Sequence, residues 1–212
     1  MRFKDLPVGS VVLLGTPFYG GYVKWRKMND GYAMGNTVAT KYYNENGTPR
    51  TNFYPETSIH QWLNNENGFL GIFTPEEREV LNPFEIQVAT PKSYRKEHGA
   101  TYRTECFAAL PSISQIILNP ERFHNIPLEA PSFGIFCNSN VGSRTACGDK
   151  SFFKTGRQDN PVRVSQEGHV AVRPVICINP DANFYDSGEG LKLVAKAPTF
   201  DPEFLFAIVN SF

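Results

Sequence analysis

The sequence predicts an α+β, β-rich domain of mixed sheets with two short helices and long loops. Three observations lead there. The 17 Gly and 16 Pro residues, with many Asn, cut the chain into short pieces and leave little room for long helices. The apolar segments between those breaks are short and rich in Val, Ile, Phe and Tyr, often alternating with polar residues, as half-buried strands do. Only two places carry helix-start chemistry.

In chain order, Val8–Leu14 is a β-branched and Leu run between Pro7 and Gly15 and reads as a buried strand. A turn at Gly20-Gly21 leads into a second strand, where Tyr22, Lys24, Arg26 and Met28 alternate with Val23, Trp25 and Lys27. Together they predict a hairpin. The glycine-punctuated stretch from Asn29 leads to a further strand near Thr37–Tyr43, and Asn44–Glu56, with Asn46-Gly47 and two prolines, reads as an exposed loop.

The first helix runs from a cap at Thr57 or Ser58 to Leu63, with Ile59, Trp62 and Leu63 on one stripe. The amide run Asn64–Asn67 and Gly68 stops it. The second starts at Thr74, with Pro75 in the first position and Glu77 completing a capping box, and runs to about Leu81. Asn82-Pro83 ends it, and FEIQVAT resumes strand alternation.

Pro91–Thr104 carries Lys92, Arg95, Lys96 and Arg103 and reads as a solvated loop. CFAAL is a short buried piece, and Ser112–Leu118 fits helix and strand equally well. Asn119–Pro131 is irregular. FGIFC, KSFFKT, PVRVS, HVAVRPVICI and LKLVA then read as strands.

Composition narrows the function classes. With 21 basic and 21 acidic residues the net charge is zero, so nucleic-acid binding lacks its electrostatic footprint. The opening apolar run is interrupted by Pro7 and Gly9, too short for a secretory signal, and no segment reaches membrane-spanning length. Neither nucleic acid nor membrane is expected as a partner.

Cys106, Cys137, Cys147 and Cys177 match no zinc spacing and read as buried free thiols. A Cys137–Cys147 bridge fits a turn at Gly142, but a chain made without a signal keeps such thiols reduced. His60, His98, His124 and His169 form no ligand pair, and no catalytic motif or paired carboxylates stand out. No cofactor and no metal are expected, nor catalytic residues.

Aromatic residues are 13% of the chain, and several lie among Asn and Arg, the composition of surfaces that recognise sugars or proteins. The candidate binding set is Tyr42, Tyr43, Arg50, Tyr54, Tyr94, Tyr102 and Arg103. Trp25, Trp62 and Arg173 are expected to be structural, Trp62 anchoring its helix and Arg173 needing a buried acceptor within an apolar strand.

LPVGSVV, VKWRKM, SIHQWLNN, FTPEEREVL, FAALPSISQ and VRVSQEGHVAVRPVICI, in that order over about residues 6 to 179, resemble a domain family of unknown function from Gram-positive gut bacteria and their phages. That family is similar to the C-type-lectin and formylglycine-generating-enzyme type of fold, in which a closing strand ending in Arg-Pro packs under a loop-rich ligand face. The resemblance implies a lectin-like domain over residues 1–190. The family's WxRS stretch appears here only as GSRTACGDKSFFKT, with Arg144 in place of its arginine. The enzymes' closely spaced cysteine pair is lacking, so oxidase activity is not implied. Of the calcium-binding lectin motifs only Gln158–Pro161 comes near, so calcium is not implied either.

Residues 191–212 form an apolar extension with Phe200, Phe204, Phe206 and Phe212, costly to leave in water, which completes the core or docks on a partner. The expectation is a non-enzymatic structural or binding component of a phage particle, a capsid decoration or tail-associated protein made in the host cytoplasm. Its partners would be other virion proteins or copies of itself, with a host-surface glycan in addition. The alternatives are a carbohydrate-binding module and a cell-wall-directed enzyme.

Overall fold

The computed structural model describes residues 1–16, 20–36, 38–45, 52–112, 142–147, 151–155, 161–165 and 169–194; of 142–147 only Arg144 is described beyond its backbone, and 151–155, 161–165 and His169 are described by backbone alone. The chain begins with a turn of 3-10 helix at Phe3–Asp5, then β1 (Val11–Leu14), β2 (Val23–Lys27), β3 (Tyr32–Gly35) and β4 (Ala39–Tyr42). Helix α1 (Ser58–Leu63) and helix α2 (Pro75–Glu79) follow, then β5 (Leu81–Asn82), β6 (Phe84–Ala89), helix α3 (Arg95–His98), β7 (Thr101–Cys106) and β8 (Ala108–Ala109). The remaining strands are β9 (Gly142–Cys147), β10 (Ser151–Thr155), β11 (Pro161–Ser165), β12 (His169–Val172), β13 (Val175–Ile178), β14 (Phe184–Asp186) and β15 (Leu191–Leu193).

The class is α+β and β-rich. The principal sheet runs β14-β15-β1-β2-β3-β13-β5, with β8 also on β13. It is mixed, because β15 lies parallel to β1 while the other pairs are antiparallel. β6 and β7 form a separate two-stranded ribbon and β9–β11 a three-stranded sheet.

The β1–β2 hairpin expected from the sequence is present, with Val12 opposite Trp25. Its first strand starts at Val11, because Pro7–Ser10 closes a turn through Gly9 at φ +93°. Val23, Trp25 and Lys27 face inward. Trp25 is fully buried, and its indole N–H donates to the Leu14 carbonyl at 2.9 Å. An added Cβ at Gly35 would stand 3.1 Å from the Trp25 ring, so a side chain there would have to push the buried indole back by a few tenths of an ångström.

HVAVRPVICI is two strands rather than one. β12 pairs with β4 and β13 with β3, so both partners step from one ribbon to the main sheet at the same place. Pro174 lacks an N–H and cannot continue the ladder; its carbonyl instead accepts from Gly35 N at 2.8 Å. Arg173 fills this bend, 2% exposed, and its Nε–H donates to the Gly35 carbonyl at 3.5 Å.

Both helices start where their caps predict, and the Thr74–Glu77 capping box is reciprocal. The second helix stops at Glu79 rather than Leu81, because Leu81–Asn82 joins β13 as a strand. A larger difference concerns Pro91–Thr104: instead of a loop it holds a 3-10 turn, α3 and most of β7. β7 pairs with β6 over its full length, so a polar edge ribbon forms once Phe84, Ile86 and Val88 supply one buried face. FGIFC, residues 113–118 and residues 195–212 lie outside the described residues. The extension's first residues, Leu191–Leu193, are β15 of the main sheet. Among the described residues no helix is long and apolar enough to cross a membrane.

Candidate binding face on the β6–β7 hairpin

The connection between β6 and β7 is built to display rings. Thr90 N donates to the Ala100 carbonyl at 3.1 Å and closes its base. Pro91 opens a 3-10 turn at Lys92–Tyr94, α3 follows for one turn, and Gly99 at φ +73° turns the chain back into β7. Arg95 Nε–H donates to the Thr90 carbonyl at 3.1 Å and ties α3 to the strand end. Tyr94 and His98, four residues apart, therefore share one face.

These rings sit on Phe53, which is buried. Tyr94 stacks on Phe53 at 5.0 Å between centroids, His98 stacks on it at 5.0 Å, and Tyr102 from β7 meets it edge-on at 5.2 Å. His98 and Tyr102 also meet edge-on at 5.0 Å. Offset and edge-to-face pairs of this kind each add about 0.5–1.5 kcal/mol beyond burial, which holds the outer rings in fixed orientations. Tyr94, His98 and Tyr102 stay half-exposed. Lys92, Arg95, Lys96 and Arg103 are exposed around them. Arg103 pairs with Glu85 at 3.2 Å, with both side chains largely in solvent, so the pair is weak and exchangeable.

Of the residues singled out by sequence, Tyr94, Tyr102 and Arg103 come together here. Tyr42 is exposed elsewhere, on β4 opposite His169. Tyr43 and Tyr54, expected at the surface, are core residues, 0% and 1% exposed. The polar sequence around them hid this, because their partners come from distant elements. The Tyr43 carbonyl accepts from Ile59 N, and the Tyr54 hydroxyl accepts from Leu110 N at 2.8 Å. Burial pushes the Tyr54 phenol well above its ordinary range. Arg50, Phe200, Phe204, Phe206 and Phe212 lie outside the described residues.

Trp62 is half-buried against Phe69 at 5.7 Å, and the Lys41 ammonium sits 4.9 Å above its ring. His98 was missed as a site residue, because no histidine pairing marks it; its spacing of four from Tyr94 is the signal that could have found it.

A second group of polar side chains lies around the C-terminal end of α1. Asn64 donates to the His60 and Ala108 carbonyls and accepts from Phe107 N and Ala108 N. Arg144 donates to the Leu110 carbonyl at 2.6 Å. Cys106 is a buried free thiol whose pKa burial pushes up to about 12, and Cys177 is a half-buried free thiol. Side chains of this group hold backbone and serve architecture. Among the described residues no three His, Cys, Asp or Glu side chains converge as a metal site; the Cys137–Cys147 bridge lies outside the described side chains.

No family model, curated protein or solved structure matches this chain.

Proposed function

We propose that the protein is a non-enzymatic binding component of a phage particle, a capsid decoration or tail-associated protein of lectin-like fold, that holds a host-surface glycan on its β6–β7 hairpin. The observation that carries the binding reading is the ring group Tyr94, His98 and Tyr102, fixed on buried Phe53 and ringed by exposed cations. Preorganised rings lay a flat apolar surface against a sugar at little entropic cost. The guanidinium of Arg103 and the neighbouring ammonium groups supply hydrogen-bond donors at the rim. The particle reading is supported by the ordered motifs from LPVGSVV to HVAVRPVICI.

The test has two readouts. Particles purified from a lysate of the producing strain should contain the protein by mass spectrometry, and the purified protein should adsorb to host envelope preparations. Absence from particles would overturn the virion reading. Adsorption that survives Tyr94→Ala with Tyr102→Ala would overturn the hairpin's role.

A further inference from the structure

A second exposed aromatic group lies at the other end of the main sheet. Tyr22, Tyr185 and Val194 are 43%, 49% and 48% exposed, three of the large apolar side chains the fold leaves in water. Tyr22 and Tyr185 flank one cation. Lys192 on β15 stands directly across from Tyr185 on β14, and its ammonium lies 4.9 Å over the Tyr22 ring. Register partners on adjacent strands share a face, so Tyr185, Lys192, Leu13 and Lys24 form one row across β14, β15, β1 and β2. Tyr22 precedes Lys24 by two and lies on the same side. The row is rigid because its floor, Leu13, is buried and packs against Gly190, where an added Cβ would stand 3.0 Å from Leu13 Cδ1.

From this arrangement we infer that Tyr22, Lys192 and Tyr185 form a second ligand site, separate from the hairpin, for a saccharide bearing carboxylate or phosphate. Two exposed tyrosine rings flank an ammonium whose position is set by strand pairing. Sugar C–H faces pack on the rings while an anionic substituent meets Lys192. The ammonium's present partner is Glu189 at 3.0 Å, a carboxylate from an exposed side chain three residues away. A surface pair of this kind contributes little, so an incoming anion displaces it. Val194 lines a cavity of about 320 Å³ rimmed by Glu76, Glu79 and Asp181. Asp181 is paired with Lys4 at 2.7 Å, but Glu76 and Glu79 disfavour an anion there, which favours the Lys192 side for the charged end of the ligand.

Isothermal titration of the purified protein with oligogalacturonate, with a phosphorylated mannan oligosaccharide and with neutral maltohexaose tests this. Binding of one or both charged probes is expected, and which one binds identifies the anion. Tyr22→Ala with Tyr185→Ala should weaken binding by about tenfold or more, the order expected for losing two ring contacts. Lys192→Met should weaken it by about fivefold, and Glu189→Gln should strengthen it by about threefold, because a competing surface pair is removed. All four substitutions sit at the surface, and circular dichroism checks that each variant folds. The hairpin variant with Tyr94→Ala and Tyr102→Ala should bind these probes as the parent does, which separates this site from the hairpin. No binding of either charged probe, equal binding of maltohexaose, or indifference to Lys192→Met and Glu189→Gln would overturn the inference. So would a parent dimer that dissociates in the Tyr22→Ala, Tyr185→Ala variant, since the patch would then be a contact between copies.

Discussion

His60 shows how burial alone sets a residue's chemistry. It lies on α1 against Tyr54, ring centroids 4.7 Å apart, and its Nδ1 is buried without a hydrogen-bond partner. Desolvation lowers its pKa from an ordinary 6.5 to about 4. The unfolded chain therefore takes up a proton at a pH where the folded chain does not. The neutral ring's contribution is fully present above pH 6.5 and is lost as pH falls through about 4. A shift of this size corresponds to about 3 kcal/mol at most. Urea unfolding at pH 7, 5 and 4 should show a loss of that order, and His60→Leu should flatten the same window. Equal acid sensitivity in parent and variant would assign the loss to other groups. Arg173 shifts in the same direction with a different outcome: burial and Arg26 pull its guanidinium down to about 10, which still leaves it charged at neutral pH and bound to Gly35.

Among the elements, the TPEE helix start is the clearest case of partial legibility. The capping box could be read from Thr74 and Glu77 because both partners lie within one turn. The second role of Glu77 could not. Its Oε1 accepts from Gly15 N at 3.1 Å, 62 residues away, so one buried carboxylate fastens both α2 and the end of β1. Glu77→Ala should cost about 2–3 kcal/mol, as it removes a cap and leaves a buried N–H unpaired. A fall in melting temperature with faster hydrogen exchange at the Gly15 amide would show it; unchanged exchange at Gly15 would contradict the tether. Asn64 repeats the pattern. By sequence it ends a helix, and in the fold it also clamps Phe107 and Ala108. The hairpin rings were half legible: Tyr94, Tyr102 and Arg103 stood out among polar neighbours, whereas Tyr43 and Tyr54 looked the same and are buried by contacts that only the fold creates.

At the scale of the molecule, the β-rich class was legible because turn residues and strand periodicity are local. The pairing of β3–β4 with β13–β12 was not, since it joins segments about 140 residues apart through a shared bend. The start of the chain is fastened in a similarly non-local way. Met1 exchanges hydrogen bonds with Phe184 through its amine and its carbonyl, and Phe3 N donates to the Ala182 carbonyl. Lys27, with its side chain 1% exposed, donates to the Lys4 and Leu6 carbonyls at 2.8 and 2.7 Å. Its place beside Val23 and Trp25 in the strand alternation already put it on the inner face. Lys27→Met should cost about 2 kcal/mol, because two carbonyls lose charge-assisted bonds. The amides of Phe3 and Leu6 should exchange faster, and exchange unchanged in this segment would show that Lys27 does not hold it.

The ring-bearing hairpin is the proposed site at which this fold meets a host glycan. Titration of parent protein and the Tyr94→Ala, Tyr102→Ala variant with glycan purified from the host envelope is the decisive measurement. A loss of about tenfold or more in affinity is expected, with a midpoint of thermal unfolding close to the parent's. An affinity equal to the parent's in a folded variant would contradict it.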